Sequence, residues 1–201
     1  MKLARDGYAA IKLLAVAALI LAVISYYTLI VTVPIFLLVL WFFRDPERTP
    51  QGAGYVSPAD GKVIEILQSE HPYTGKAIKI GIFMNLFSVH VNRMPSDGII
   101  EYLEYAPGKK WFANAPKASS LNERMYIGYK SDKGNILLTQ IAGLAARRIV
   151  CRLRKGTKLE RAQRFGMIKL GSKVDVYLPV SSQVKVKVGQ NVRAGETVIA
   201  E

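Results

Sequence analysis

The sequence predicts a mainly β domain, a sandwich or barrel, preceded by an N-terminal apolar helical segment. Three observations predict it. Residues 13–43 carry no charge, a run of 31 residues, well above the roughly 20 that cross a bilayer as a helix. From residue 55 onward, short runs of alternating apolar residues follow one another, divided by turn dipeptides such as Asp97-Gly98, Lys133-Gly134 and Ala194-Gly195. No long amphipathic helical pattern competes with them.

The N-terminus is basic, with Lys2, Arg5 and Lys12 against Asp6. The apolar run is too long for a signal peptide and ends in WFF instead of a small-residue cleavage site. Pro34 interrupts it, so one helix is expected to about Val31 and a second, shorter one to Phe43. A proline-broken hairpin puts both ends on one side, which suits Arg44 and Arg48 on the far flank, since cytoplasmic flanks favour Lys and Arg. The alternative is a single tilted span. Residues 1–43 are thus expected as a membrane anchor, with a cell-membrane location and the following domain on the cytoplasmic face.

RDPERTPQGAG, residues 44–54, reads as a turn-rich linker. The domain beyond it is expected over 55–201. Residues 51–201 hold 23 Lys and Arg against 12 Asp and Glu. Such a domain tied to a membrane is expected to face anionic headgroups. No nucleic-acid recognition motif accompanies the charge, so no nucleic-acid partner is expected. The single cysteine, Cys151, cannot form an internal disulfide and reads as a packed structural thiol.

The strands expected in order include DGKVIEIL, AIKIGIFM, GIIEYLEYA, MYIGYK, NILLTQIA, RRIVCRL, KVDVYLP, VKVKV and TVIAE. In RRIVCRL, Arg147 and Arg148 alternate, so one of them turns inward. Gly171-Ser172 lies between two strand-like runs, Met167, Ile168 and Leu170 before it and Val174, Val176 and Leu178 after it. The pair can be a plain bend. It can also be chemistry: a serine hydroxyl attacks the preceding carbonyl, an ester replaces the amide, and elimination followed by hydrolysis leaves a pyruvoyl ketone on a new N-terminus.

Of the two histidines, His90 ends an apolar strand in FSVHVNRMP and can exchange a proton near neutrality. His71 sits in the polar stretch SEHPYTG and is expected to be exposed and uninvolved. Asp60, in SPADGKV, reads from pattern alone as a turn residue. The loop over 106–124 contains Lys109, Lys110, Trp111 and Phe112, cations beside amphipathic rings, and is a candidate lid at a headgroup interface.

Six segments in order carry a resemblance: FFRDPERTP (42–50), SPADGKV (57–63), FMNLFSVHVNRMP (83–95), NER (122–124), QIAGLAARRIVC (140–151) and RFGMIKLGSKVDVYLP (164–179). Together they resemble the phosphatidylserine decarboxylases, in a short form with a hydrophobic N-terminus. The resemblance implies self-cleavage between Gly171 and Ser172 into chains 1–171 and 172–201 that stay associated. It implies a pyruvoyl group from Ser172 that binds the substrate amine as a Schiff base, with His90 catalytic and Asp60 orienting it. The chain order Asp60, His90, Ser172 is one form of a Ser-His-Asp logic that recurs on unrelated folds. Better-studied long members carry a second histidine where this chain has Arg93. Either His90 serves both maturation and turnover, or Arg93 does part of the electrostatic work and holds a substrate carboxylate or phosphate. Arg147 and Arg148 are further candidates for substrate binding. The segment 185–201 also resembles half of a biotinyl/lipoyl hammerhead, with DGKVIEI as another half, but without the cofactor-bearing lysine motif.

The expectation is therefore decarboxylation of a phosphatidylserine-type lipid to its ethanolamine counterpart, with a built-in ketone in place of pyridoxal phosphate and with no metal. Copies of many family members pair. The alternative is a non-enzymatic, membrane-anchored hammerhead adaptor. Intact mass separates the two, because only the enzyme is cut in two.

Overall fold

The computed structural model describes residues 2–108, 121–143, 148–169 and 172–201. Two compact units make up the chain, Met1–Glu47 and Arg48–Glu201. The candidate lid residues Lys109, Lys110, Trp111 and Phe112, together with Arg147 and Gly171, lie outside the described residues.

The first unit is a helical hairpin. Helix α1 spans Tyr8–Ile24 and α2 spans Leu29–Phe42, joined by a 3-10 turn over Tyr26–Thr28. The break falls at Ser25, not near Pro34. Ser25 is extended, with φ −159°, and its carbonyl oxygen accepts bonds from the Thr28 N–H and hydroxyl at 3.1 and 2.7 Å. Short polar side chains offer the backbone such local alternatives to helix. Pro34 stays inside α2, near its start, where its missing N–H releases one carbonyl of the first turn. The ends meet: the Ala4 N–H donates to the Phe43 carbonyl at 2.8 Å and the Asp45 N–H to Lys2 at 2.9 Å. Gly7 makes room for this closure, since a Cβ there would lie 2.3 Å from the Phe43 ring. No residue of α1 is buried, although the helix is apolar all round. Arg5–Ile24 is long and apolar enough to cross a membrane.

Residues 44–54, expected as one linker, divide at Glu47. The Gln51 N–H donates to the Glu196 carbonyl at 3.0 Å, and Arg161 Nη2 donates to the Gly52 carbonyl at 2.8 Å. Arg48 onward is thus tied into the second unit.

That unit is the β domain. Its strands are β1 Tyr55–Val56, β2 Gly61–His71, β3 Gly75–Met84, β4 Val91–Arg93, β5 Gly98–Ala106, β6 Arg124–Ser131, β7 Gly134–Ala142, β8 Arg148–Cys151, β9 Lys158–Leu159, β10 Arg164–Lys169, β11 Ser172–Pro179, β12 Asn191–Val192 and β13 Val198–Ala200. Eight form one antiparallel sheet in the order β12-β2-β3-β11-β7-β6-β5-β9. A second sheet runs β4-β10-β8, and β1 pairs β13. Val63, Ile80, Ile127, Leu138 and Val176 from the large sheet share one core with Phe165 and Ile168 of β10. The expected sandwich- or barrel-like β domain is thereby built, as a curled sheet. The two hammerhead-like halves interlock, Lys62 opposite Asn191 and Tyr55 opposite Ala200.

VKVKV forms no strand, only an isolated bridge from Val184 to Ala200. Its alternation is satisfied instead by scattered bonds such as Lys185 N–H to the Ile199 carbonyl, 2.9 Å. Cys151 lies half-buried against the core, and burial pushes its thiol pKa up, against weaker lowering by a backbone bond and Arg152, as suits an inert structural thiol.

Candidate active site

β11 is central, paired to β3 on one side and β7 on the other. Val174, Val176 and Leu178 enter the core, and by strand alternation Ser172 shares their face. Ser172 heads the strand, opposite Met84 and Ala142. It is fully buried, and among the described residues its Oγ has no hydrogen-bond partner. A buried hydroxyl left unsatisfied costs about 1–3 kcal/mol, so its retention on a packed strand calls for a reason.

His90 is placed by the strand that precedes it. The chain leaves β3 at Met84, makes a tight turn over 85–88 and re-enters the interior at Val89, which is buried. His90 is fully buried. Its Nδ1 lies 2.8 Å from the Ser88 carbonyl oxygen. A carbonyl only accepts, so Nδ1 carries the proton and Nε2 is left as the basic nitrogen of the neutral ring. The next residue, Val91, pairs with Met167 of β10, five positions before Ser172. The serine's ladder partner Met84 lies six positions before the histidine. Both are thus tied to the end of β3, Ser172 by ladder register and His90 by sequence.

Asp60 stands just before β2, whose Lys62 pairs with Phe83 beside Met84. Its Oδ2 pairs with Arg48 Nη2 at 2.9 Å and its Oδ1 accepts the Ala194 N–H at 2.7 Å. Arg48 also reaches Glu196 at 3.1 Å. The aspartate is far more than a turn residue. It is the hub that ties residue 48 and the turn at Ala194 to the start of β2. Arg48→Met leaves two poorly solvated carboxylates without their shared cation. The expected loss is about 3 kcal/mol of stability, read from thermal or urea unfolding.

Arg93 is buried, and its Nη1 donates to the Ala162 carbonyl at 3.1 Å. Its aliphatic stem packs where a Cβ on Gly195 would lie 2.7 Å from Cδ. Arg148 is exposed at the start of β8, opposite Lys169.

Sequence reasoning missed two further sets of residues. Asn92 and Gln140 are fully buried, and Gln140 Nε2 donates to Asn92 Oδ1 at 2.8 Å. Gln140 lies opposite Val174, one step along the inner face from Ser172. Its Oε1 has no partner among the described residues. The interior beside Ser172 therefore holds two buried polar atoms, Ser172 Oγ and Gln140 Oε1, without a hydrogen-bond partner among the described residues. The second set is on the opposite face. Lys173 and Asp175, which alternate with the core residues of β11, are also buried. Lys173 Nζ pairs with Glu65 Oε1 and lies 3.0 Å from Asp175 Oδ1, while Lys79 Nζ reaches Glu65 at 2.9 Å. Gly81 leaves the space in which they meet, since a Cβ there would lie 2.7 Å from both Glu65 Cγ and Lys173 Cε.

His71 is not in an exposed loop. It ends β2, half-buried, with ring centroids 5.4 Å from Tyr126 and 6.1 Å from Tyr177. It lines a cleft of about 450 Å³ with Tyr73, Tyr102, Glu104 and Arg124. Burial lowers its pKa, more than Glu104 raises it. A depressed histidine favours the neutral folded state, so its contribution is present above the unfolded value of roughly 6.5 and fades as pH falls below it. Melting temperatures should therefore drop more between about pH 7 and 5.5 in the wild type than in His71→Phe.

Comparison with known proteins extends across this whole arrangement. The family model described as phosphatidylserine decarboxylase matches residues 35–200. The chain is 47% identical over 204 residues to the phosphatidylserine decarboxylase proenzyme of Oleidesulfovibrio alaskensis, covering 97% of this chain and 92% of that protein. It is 50% identical over 163 residues to that of Chlorobium luteolum, covering 80% and 77%, and 42% identical over 206 residues to that of Burkholderia vietnamiensis, covering 99% and 95%. A match that begins within α2, takes in the Asp60 turn and the His90 strand, and runs through β11 almost to the last residue makes this chain a member of the phosphatidylserine decarboxylase family.

Proposed function

We propose that this enzyme is made as a proenzyme, opens its own backbone between Gly171 and Ser172, and then decarboxylates phosphatidylserine or an ether-lipid analogue to the ethanolamine lipid. Family membership sets aside the adaptor reading. One observation carries the self-cleavage: the buried Ser172 Oγ, without a partner among the described residues, at the head of a central strand.

His90 is the base. Its Nε2 takes the Oγ proton as the hydroxyl attacks the Gly171 carbonyl, so that an ester forms and the amide bond breaks. Asp60, pinned by Arg48 and the Ala194 N–H, takes the part the family resemblance gives it, orienting that histidine. Loss of the Ser172 α-proton then breaks the Cβ–Oγ bond, leaving a carboxylate on Gly171. Hydrolysis of the resulting enamine releases ammonia. The ketone so produced supplies an electron sink for the pair left behind by carbon dioxide. His90, lacking a second histidine beside it, serves again in turnover, returning a proton to the carbon that lost carbon dioxide. Arg93 and Arg148, with Arg147, supply positive charge for the lipid phosphate or carboxylate. The pieces 1–171 and 172–201 stay together because β11 remains laddered to β3 and β7, and β12 and β13 to β2 and β1.

The hairpin anchors the enzyme in an anionic membrane. The 17 residues of α1 rise about 25 Å, close to the hydrocarbon thickness. Tyr26 and Tyr27 stand exposed at its tip, and Trp41 stacks under Arg44 at its base, 4.1 Å from the guanidinium carbon, as interface residues do. Tags at Met1 and Glu201 are then modified from one side of sealed vesicles, the cytoplasmic side in cells; modification from opposite sides would exclude the hairpin. The reaction itself is tested with carboxyl-labelled phosphatidylserine. Released labelled carbon dioxide, together with a 172–201 fragment in the mass spectrum, is expected. Turnover by an uncut chain would overturn the mechanism.

A further inference from the structure

We infer that the 85–88 turn is a finger that dips into an anionic bilayer, seating Leu86 and Phe87 among the lipid chains beside the reactive serine. The inference rests on the decarboxylase reading, which makes the substrate a membrane lipid. Leu86 is 40% and Phe87 65% exposed, although Met84 and Val89 on either side are buried. The turn has a fixed shape. Asn85 Oδ1 accepts the N–H groups of Phe87 and Ser88 at 2.9 and 3.0 Å, and Ser88 Oγ accepts the Asn85 N–H at 3.2 Å. Two large apolar side chains are thereby held outward at its tip, whereas a loop free to rearrange could tuck them in.

Its place in the fold gives this meaning. Met84, at one end, is the ladder partner of Ser172, and His90 follows two residues after the other end. An exposed cation stands beside it in register, Lys62, opposite Phe83, and Arg148, opposite Lys169 at the end of β10, is exposed as well. Apolar tips beside an exposed cation match an anionic headgroup layer with acyl chains beneath it. A protein partner is a poorer occupant, because two side chains fall far short of the ~1,000 Å² that a stable protein interface needs. The domain's excess of 23 basic over 12 acidic residues in 51–201 favours the same anionic surface. Insertion at this point shortens the path by which a headgroup leaves the membrane for a buried serine.

The test uses the full chain and the double variant Leu86→Ser/Phe87→Ser, with two substrates: phosphatidylserine in sealed anionic vesicles, and a short-tailed phosphatidylserine dissolved as monomers. The expected result is that kcat/KM on vesicles falls about 30-fold while turnover of the dissolved lipid and self-cleavage stay at wild-type levels. Leu86→Trp/Phe87→Trp should restore vesicle activity. Equal loss on both substrates would overturn the inference, since the turn would then act on the chemistry or the fold. Unchanged vesicle activity would overturn it as well. So would a change in oligomeric mass with vesicle activity intact, which would make the tip a contact between copies of this chain. If the wild type releases carbon dioxide from neither substrate, the decarboxylase reading itself fails, separately from the finger.

Discussion

Ser172→Ala should leave one continuous chain of 22.3 kDa and no measurable decarboxylation. Without Oγ there is no ester, no elimination and no ketone. Turnover should fall by about 10⁴-fold or more, at least ~5.5 kcal/mol of lost transition-state stabilisation. The same variant should be no less stable than the uncut wild-type precursor. The hydroxyl it removes makes no hydrogen bond among the described residues, so deletion relieves a buried unsatisfied group and can add about 1 kcal/mol. Intact mass spectrometry, labelled carbon dioxide release and thermal unfolding check the three parts. A cut Ser172→Ala chain would move the reactive bond elsewhere. A strongly destabilised one would show that the serine is there for packing.

Lys173→Met should have the largest effect on stability without touching the reacting atoms. The substitution removes the ammonium paired with Glu65 and 3.0 Å from Asp175 Oδ1, leaving Asp175 with Lys79 at 3.9 Å. Breaking one partner out of a buried cluster costs about 3–5 kcal/mol, or roughly 6–20 °C in melting temperature for a domain of this size. Burial already raises the Asp175 pKa against the lowering pull of Lys173 and Lys79. Burial also raises Glu65, but its bonds and charge contacts with Lys173 and Lys79 prevail and leave it lowered. The signs oppose. A raised carboxyl withdraws stability as pH climbs above its unfolded value of roughly 3.9, while a lowered one contributes stability above roughly 4.3 and loses it as pH falls. Removing Lys173 strengthens the first effect and weakens the second. The stability of the variant should therefore decline more steeply than that of the wild type between about pH 4 and 7. Lys173→Met with Asp175→Leu should recover much of the loss, since an apolar pair of similar volume can match a buried ion pair. Equal melting temperatures for wild type and Lys173→Met would mean that the cluster is solvated.

Most elements were legible because local pattern and final environment agree. Val174, Val176 and Leu178 alternate in sequence and are buried together. For Lys173 and Asp175 the same alternation left the environment open. Period two says only that they share a face, and that face is covered because β11 is central and Lys79 and Glu65 arrive from β3 and β2. Pro34 looked like the helix break, but Ser25 bonds its own neighbourhood and turns the chain earlier. His71 sat among polar residues in sequence, yet strand pairing carries it among three tyrosines.

By itself the sequence determined the apolar N-terminal segment, the β-rich domain and, through the family resemblance, the candidates Ser172, His90 and Asp60. These depend on composition, on periodicity and on short motifs that travel with the chain. Only the tertiary structure decided that Arg48 and Ala194 grip Asp60, that the Ser88 carbonyl assigns the His90 tautomer, and that Gln140 and Ser172 are buried on one face of the sheet. Such facts depend on strand order and register. A hydrogen bond reaches about 3 Å, and no sequence spacing states which of two distant residues the folded backbone will bring within that reach.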